Sequence, residues 1–180
     1  MAMAKAEKKI RTFTFDKTHI LAYWVAMATY IVDLAILMLT IGYSYNQFLM
    51  NPWIRRAGLL IFLFGWLVWY LGRKKLGPDS VDIDPLGTIS RKILYPSHKN
   101  IHIKPKLVSD GIYSITRHPQ YWGTVLFYIG ISLALASIPS LIFSILVILP
   151  AHIWRASVEE KMLLRLFGEK YLDYKKKVKF

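Results

Sequence analysis

Long apolar runs separated by short basic segments dominate the sequence. One run extends from His19 to about Tyr43, and a second extends from about Trp53 to Gly72. A helix needs about 20 predominantly apolar residues to cross a hydrocarbon layer of about 30 Å, and both runs are long enough. The pattern therefore predicts membrane-spanning helices over about 19–43 and 53–72.

Two further apolar runs, 121–136 and 138–154, are joined by the brief turn 137–140, which predicts a tight antiparallel hairpin. Small residues let helices approach closely in a membrane. We therefore predict a single domain over 1–180, an all-α, multi-pass membrane helix bundle with four spans. The small residues along this hairpin are Gly123, Gly130, Ser132, Ala134 and Ala136.

Two polar segments complete the chain, a connection over 73–120 and a C-terminal part over 155–180. Apolar and charged residues recur every three or four positions after Trp154, so the last helix is expected to continue out of the membrane. Gly168 is expected to break or bend it. We predict a C-terminal helix within the second polar segment.

The distribution of lysine and arginine predicts the orientation of the bundle. These residues are concentrated before the first span, in the 73–120 connection and after Trp154, whereas the 137–140 turn has none. Cytoplasmic loops of membrane proteins carry the excess of basic residues. The N-terminus, the connection and the C-terminus are therefore all expected in the cytoplasm.

Composition narrows the class of protein. Hydrophobic residues make up 54% of the chain and charged residues only 19%, against about 25% in soluble domains. The absence of cysteine excludes disulfides, thiolate zinc sites and a cysteine nucleophile. A net charge of +13 could favour nucleic acid, but these charges flank apolar runs, so attraction to an anionic membrane surface explains them more simply.

Three polar side chains could indicate other functions. Asp33 lies inside the first apolar run, where an acid is either functional or turned into the bundle and hydrogen-bonded. We favour the structural interpretation. His98 and His102 could be metal ligands by spacing, but no third ligand has a convincing position, so we expect solvated histidines and no metal site.

Two blocks of residues carry the chemistry. The first is Gly111-x-Tyr113-x-x-x-Arg117-His118-Pro119-x-Tyr121-x-Gly123, in which Pro119 is expected to begin a helix directly after His118. The second is Arg155-x-x-x-Glu159-Glu160-x-x-Leu163, followed by Phe167-Gly168-x-x-Tyr171-x-x-Tyr174. In their order and in the apolar hairpin between them, these blocks resemble the isoprenylcysteine carboxyl methyltransferases and their relatives, the phospholipid N-methyltransferases.

The resemblance implies an enzyme that uses S-adenosyl-L-methionine as its cofactor. We predict a cytoplasmic cofactor pocket formed by the 107–121 segment and the 155–174 helix. Aromatic faces such as those of Tyr113 and Tyr121 can stabilise a sulfonium, and a carboxylate such as Glu159 can hold an ammonium. The implied cofactor-binding residues are Lys106, Leu107, Val108, Tyr113, His118, Pro119, Gln120, Tyr121 and Glu159. The implied catalytic residues are Arg155, Glu160 and Arg117.

The acceptor that the resemblance implies is a lipid or a prenylated small molecule, with no obligate protein partner. A carboxylate acceptor needs a cation to orient it, and Arg155 suits that role. An amine acceptor must be neutral, so it would want a base such as Glu160 or His118. We favour O-methylation of a carboxylate, with phospholipid amine N-methylation as the alternative, and the small size favours a prokaryotic cell membrane.

Simpler interpretations remain for single residues and for the whole protein. Arg117 could be an anchor at the phosphate level, Tyr121-Trp122 an aromatic belt, and Arg155 with Glu159 a surface ion pair. An NADPH-dependent membrane reductase shares part of this architecture by resemblance. A non-enzymatic channel or scaffold subunit would use the polar residues of the first two spans, Asp33, Arg55 and Arg56.

Overall fold

A computed structural model of the protein describes residues 17–41, 51–76 and 106–180. The regular secondary structure in these ranges is helical, which confirms the all-α fold class. His98 and His102 lie outside the described residues. The helices are α1 (Lys17–Thr40), α2 (Pro52–Leu76), α3 (Pro119–Ala134), α4 (Ile138–Phe167) and α5 (Glu169–Lys177), with a 3₁₀ turn at Gly111–Ser114.

Three helices, α1, α2 and α4, are long and apolar enough to cross a membrane. Many of their large apolar side chains point outward, as a lipid-facing surface requires; Ile31 is 67% exposed and Leu60 is 68% exposed. The chain is therefore an integral membrane protein. Helix α3 has only 16 residues, or about 24 Å at 1.5 Å per residue, so the predicted fourth span stays a prediction.

Helices α2 and α3 pack antiparallel, backbone against backbone, along most of their length. Three glycines at seven-residue intervals on α2 face α3, and two of them lie opposite Gly123 and Gly130. A Cβ atom built on Gly65 would lie 2.6 Å from the amide nitrogen of Phe127 and 2.7 Å from the carbonyl oxygen of Gly123. The expected close contact at Gly123 and Gly130 is confirmed, but their partner is α2. The three α2 glycines are Gly58, Gly65 and Gly72.

The hairpin between α3 and α4 is as tight as its sequence predicts. The Ser137 hydroxyl accepts a hydrogen bond from the backbone N–H of Ser140 at 3.3 Å and so caps the start of α4. The Ser140 hydroxyl in turn donates to a carboxylate oxygen of Asp33 at 2.8 Å, and Asp33 is fully buried. Asp33 therefore faces the bundle, as the structural interpretation expected.

Helix α4 stays continuous through a proline. Pro150 has no N–H, and in a regular α-helix its ring would clash with the carbonyl four residues earlier. A π-helical turn over Ser144–Ile148 directly precedes this proline, and the helix continues beyond it. The apolar part of α4 ends at Trp154, and the charged remainder runs to Phe167. Gly168 then adopts a φ of +57° and ends the helix, as predicted, before α5.

Replacement of Gly65 by valine should destabilise the bundle, because the new side chain would meet the backbone of α3. Overpacking typically costs about 1–3 kcal/mol, and here the obstacle is main chain that cannot change rotamer. Thermal unfolding in detergent measures the loss. The matched control is Ala57→Val on the exposed face of the same helix. Equal unfolding midpoints for the two variants would contradict the close contact.

Candidate functional site

A cavity lies at the end of the bundle where α2 ends and α3 begins. The start of α3, the 106–108 segment, the charged part of α4 and the buried face of α5 enclose it. Both sequence blocks therefore meet in one place. Its walls are formed by Leu76, Lys106, Leu107, Val108, Tyr113, Arg117, His118, Pro119, Gln120, Tyr121, Arg155, Glu159, Leu163, Phe167, Tyr171 and Tyr174.

All nine residues that the resemblance assigned to cofactor binding line this cavity, together with Arg117 and Arg155. Glu160 does not line it, but lies beside it in contact with Arg117. Leu76 was missed, because it carries no polar signal and comes from an unrelated part of the sequence. Four other wall residues were also missing from the predicted site, although they belong to the second block and could have been found from it. They are Leu163, Phe167, Tyr171 and Tyr174.

His118 sits at the junction of the two blocks. It occupies the N-cap position of α3, directly before Pro119 in the first turn, as the His-Pro step predicts. Its Nδ1 lies 3.5 Å from Glu159 and its Nε2 lies 3.3 Å from Glu160. Burial lowers the pKa of His118, but the hydrogen bonds to Glu159 and Glu160 outweigh it and raise the pKa above 6.5.

Glu160 is held by cations. Its carboxylate lies 2.6 Å from Nη2 of Arg117 and accepts a hydrogen bond from Nζ of Lys175, also at 2.6 Å. Burial opposes ionisation, but the hydrogen bonds from His118, Lys175 and Arg117 lower the pKa of Glu160 to about 2. Glu160 is therefore a fixed carboxylate whose oxygens are already engaged.

Arg117 is turned into the protein. Its side chain is 8% exposed, and besides Glu160 it donates to the backbone carbonyls of Lys175 and Val178. The interpretation of Arg117 as a lipid-phosphate anchor is therefore wrong for this structure. The arginine instead ties the loop before α3 to the chain at the end of α5.

Tyr121 connects the charged residues of the cavity. Its ring stacks on His118 with a centroid distance of 5.5 Å and an interplanar angle of 4°. Its hydroxyl helps to lower the pKa of Glu159, and the guanidinium carbon of Arg155 lies 5.0 Å from its ring centroid. Tyr121 thus belongs to the cavity wall, and its interpretation as part of a lipid-facing aromatic belt is wrong.

Arg155 and Glu159 do not form an exposed surface pair. Arg155 is 8% exposed, and its guanidinium also lies over the ring of Tyr23, 5.3 Å from the centroid. Burial raises the pKa of Glu159, but hydrogen bonds with His118 and Tyr121 and the nearby Arg155 lower it further, so the carboxyl is ionised at neutral pH. The cavity therefore presents a buried cation and a carboxylate, both lining it.

The aromatic residues of α5 close the site from the opposite side. The Tyr174 hydroxyl donates to the carbonyl oxygen of Tyr113 at 2.6 Å. Tyr171, Tyr174 and Val178 are buried in a cluster with apolar residues of α4 and Leu107. This packing holds the first block against the second. Among the described residues no group of three or more metal-ligating side chains occurs.

A model of the phospholipid methyltransferase family matches residues 53–170. The chain belongs to this family. The matched region contains the first block, the second block as far as Gly168 and the glycines of the α2–α3 contact, so the resemblance inferred from the blocks is confirmed. Helix α1 and most of α5 fall outside it.

The curated relatives bear the name protein-S-isoprenylcysteine O-methyltransferase. The Saccharomyces cerevisiae protein is 42% identical over 72 residues, which cover 40% of this chain and 30% of the relative. The Rattus norvegicus protein is 31% identical over 132 residues, or 70% of this chain and 40% of the relative. The Dictyostelium discoideum protein is 28% identical over 153 residues, or 75% of this chain and 63% of the relative.

The chain therefore spans between about one third and two thirds of the length of these three relatives. No solved structure matches the chain significantly.

Replacement of Glu160 by glutamine should lower the pKa of His118, because one of the two carboxylates that favour the imidazolium is lost. A raised pKa means that the stabilisation from charged His118 is fully present below about pH 6.5 and is lost as the pH rises through the folded-state pKa. In the variant this stabilisation should be smaller, and its loss should be complete at a lower pH. NMR titration of labelled histidine measures the shift.

The control for this experiment is Asp173→Asn, which removes an exposed carboxylate that pairs with Lys176 on α5. It should leave the titration of His118 unchanged. A His118 titration that is identical in the wild type and in Glu160→Gln would contradict the charge network.

Proposed function

We propose that the protein transfers a methyl group from S-adenosyl-L-methionine to a carboxylate of a lipidic acceptor, as isoprenylcysteine carboxyl methyltransferases do. The observation that carries the proposal is that residues of both blocks line one cavity. This cavity contains an ionised carboxylate, aromatic rings and a buried arginine. The names of the relatives support the same reaction.

The residues present fit the cofactor. Glu159 is the ionised carboxylate that its ammonium group requires, and Tyr121 offers a ring face to its sulfonium. The positive charge favoured on His118 and the positive N-terminal end of the α3 dipole suit its carboxylate. When bound, S-adenosyl-L-methionine supplies an electrophilic methyl group on sulfur.

Arg155 is the residue proposed to orient the acceptor. It lines the cavity at the point where α4 changes from apolar to charged residues, so the head group of a membrane lipid would lie at its depth. The planar fork of a guanidinium aligns a carboxylate with two parallel hydrogen bonds. Methyl transfer then requires the carboxylate oxygen in line with the departing sulfur, shielded from water.

The electrostatics of the site support a carboxylate acceptor. An ammonium acceptor must first lose a proton, and the sequence offered Glu160 or His118 as its base. Glu160 has a pKa of about 2 and is engaged by Arg117 and Lys175, which disfavours it as a base. The contacts of His118 with two carboxylates favour its charged form, which cannot accept a proton. We therefore assign Glu160 and Arg117 a positioning role for His118.

Phospholipid amine N-methylation is the second candidate. The description of the matching family as phospholipid methyltransferase favours it. It would require a base from outside the described residues or an acceptor that arrives neutral. A reductase or a non-enzymatic channel finds no support in the comparisons.

We also propose four spans, with the cavity on the cytoplasmic side. The support is that α3 accompanies α2 from Gly58 near one end to Gly72 at the other. An even number of spans then places both blocks on the basic, cytoplasmic side. A prokaryotic cell membrane stays a prediction.

In this cysteine-free chain, a single cysteine at exposed Ser109 should label only from the cytoplasm and one at exposed Pro139 only from the other side. The reverse result would refute the orientation.

The proposed reaction predicts that purified protein binds S-adenosylhomocysteine, does not bind NADPH, and methylates a farnesylated cysteine in preference to phosphatidylethanolamine. Calorimetry and a methylation assay measure the two steps. Binding of NADPH alone would refute the proposal, and methylation of the phospholipid alone would establish the second candidate.

Two variants test the division of the cavity. Glu159→Ala should weaken S-adenosylhomocysteine binding by roughly ten- to a hundred-fold, because a charge-assisted hydrogen bond contributes about 1.5–3 kcal/mol.

Arg155→Lys should keep most cofactor affinity but lose turnover by about ten-fold or more, because a misplaced acceptor costs rate first. If Arg155→Lys abolishes cofactor binding instead, Arg155 belongs to the cofactor subsite.

A further inference from the structure

Helix α1 lies outside the region that the family model matches, yet one of its side chains contacts a residue of the cavity wall. Tyr23 of α1 is 2% exposed, and the guanidinium carbon of Arg155 lies over its ring at 5.3 Å from the centroid. We infer, on the basis of the proposed function, that Tyr23 is a positioning residue that orients Arg155 for the acceptor.

The physical reason is that a single contact does not fix a long cationic side chain. Arg155 already lies over the Tyr121 ring of α3, at 5.0 Å from the centroid. Tyr23 adds a second ring from a different helix, and both ring faces attract a cation. With its carbon over two rings, the guanidinium loses much of its rotational freedom before an acceptor arrives. Preorganised donors bind and align an acceptor at lower entropic cost.

A second contact between α1 and α4 fixes the position of Tyr23 along the length of α4. Nδ1 of His152, one turn before Arg155, lies 2.8 Å from the Ile148 carbonyl, which can only accept, so this nitrogen carries the hydrogen. Nε2 of His152 is then the acceptor for the hydroxyl of Tyr30, two turns after Tyr23. This hydrogen bond sets the register of α1 against α4 and keeps Tyr23 level with Arg155.

The chain supplies a matched control next to Tyr23. Trp24 is also aromatic and on α1, but it is 61% exposed and points away from the site. Tyr23→Phe retains the ring that covers Arg155, whereas Tyr23→Leu retains only apolar bulk. A purely structural role for Tyr23 would be served almost as well by leucine.

The activity test compares these variants in acceptor kinetics and in S-adenosylhomocysteine binding. Tyr23→Leu should lower kcat/KM for the acceptor by about ten-fold, because misplacement of the orienting group costs rate, with cofactor affinity within about two-fold of the wild type. Tyr23→Phe and Trp24→Leu should both remain within about two-fold of the wild type. If phenylalanine fails as badly as leucine, the ring does not carry the effect and the inference is overturned.

A second readout does not depend on catalysis. Phenylglyoxal modifies accessible arginine side chains, and peptide mass spectrometry reports the rate at Arg155 alone. Modification should be slow in the wild type, Tyr23→Phe and Trp24→Leu, and several-fold faster in Tyr23→Leu. Equal rates in all four proteins would overturn the inference. A wild type that methylates no acceptor would refute the proposed function, while the labelling of Arg155 would still decide whether Tyr23 restrains it.

Discussion

The close contact between α2 and α3 is the constraint on which the rest of the structure depends. Within a bilayer, apolar side chains gain little by leaving lipid for protein, so helices associate through tight packing instead. Glycines at matching intervals let the two backbones touch, and at the end of this contact Gly72 packs against Pro119 and Gln120. The first turn of α3 is thereby placed beside the end of α2, and His118 and Tyr121 are placed with it.

A second constraint is electrostatic. Glu159 and Glu160 are adjacent on α4, so their side chains leave the helix in different directions. Glu160 points to Arg117 and Lys175 and joins α4 to the loop before α3 and to α5. Glu159 lines the cavity, and His118 contacts both carboxylates. One pair of residues therefore both holds the tertiary structure together and supplies charge to the site.

These two constraints support the proposed carboxylate acceptor. The cation of Arg155 is buried among rings, while Glu159 and Glu160 are both ionised. In the proposed reaction this arrangement orients a carboxylate. The apolar part of α4 ends at Trp154, immediately before Arg155, so the proposed lipid acceptor would place its head group beside this cation.

The sequence by itself determined the helical class, the helix start at Pro119 and the break at Gly168, and it singled out nine residues that line one cavity. It could do so because hydropathy, proline and glycine act locally, and because the two blocks resemble a known family. The contacts of Arg117 and Arg155 required the tertiary structure. An arginine near the end of an apolar run looks the same in sequence whether it faces lipid phosphate or the protein interior. Only helix packing brings Glu160 within 2.6 Å of Arg117 and the ring of Tyr23 over Arg155, because these partners lie on different helices far apart in the chain.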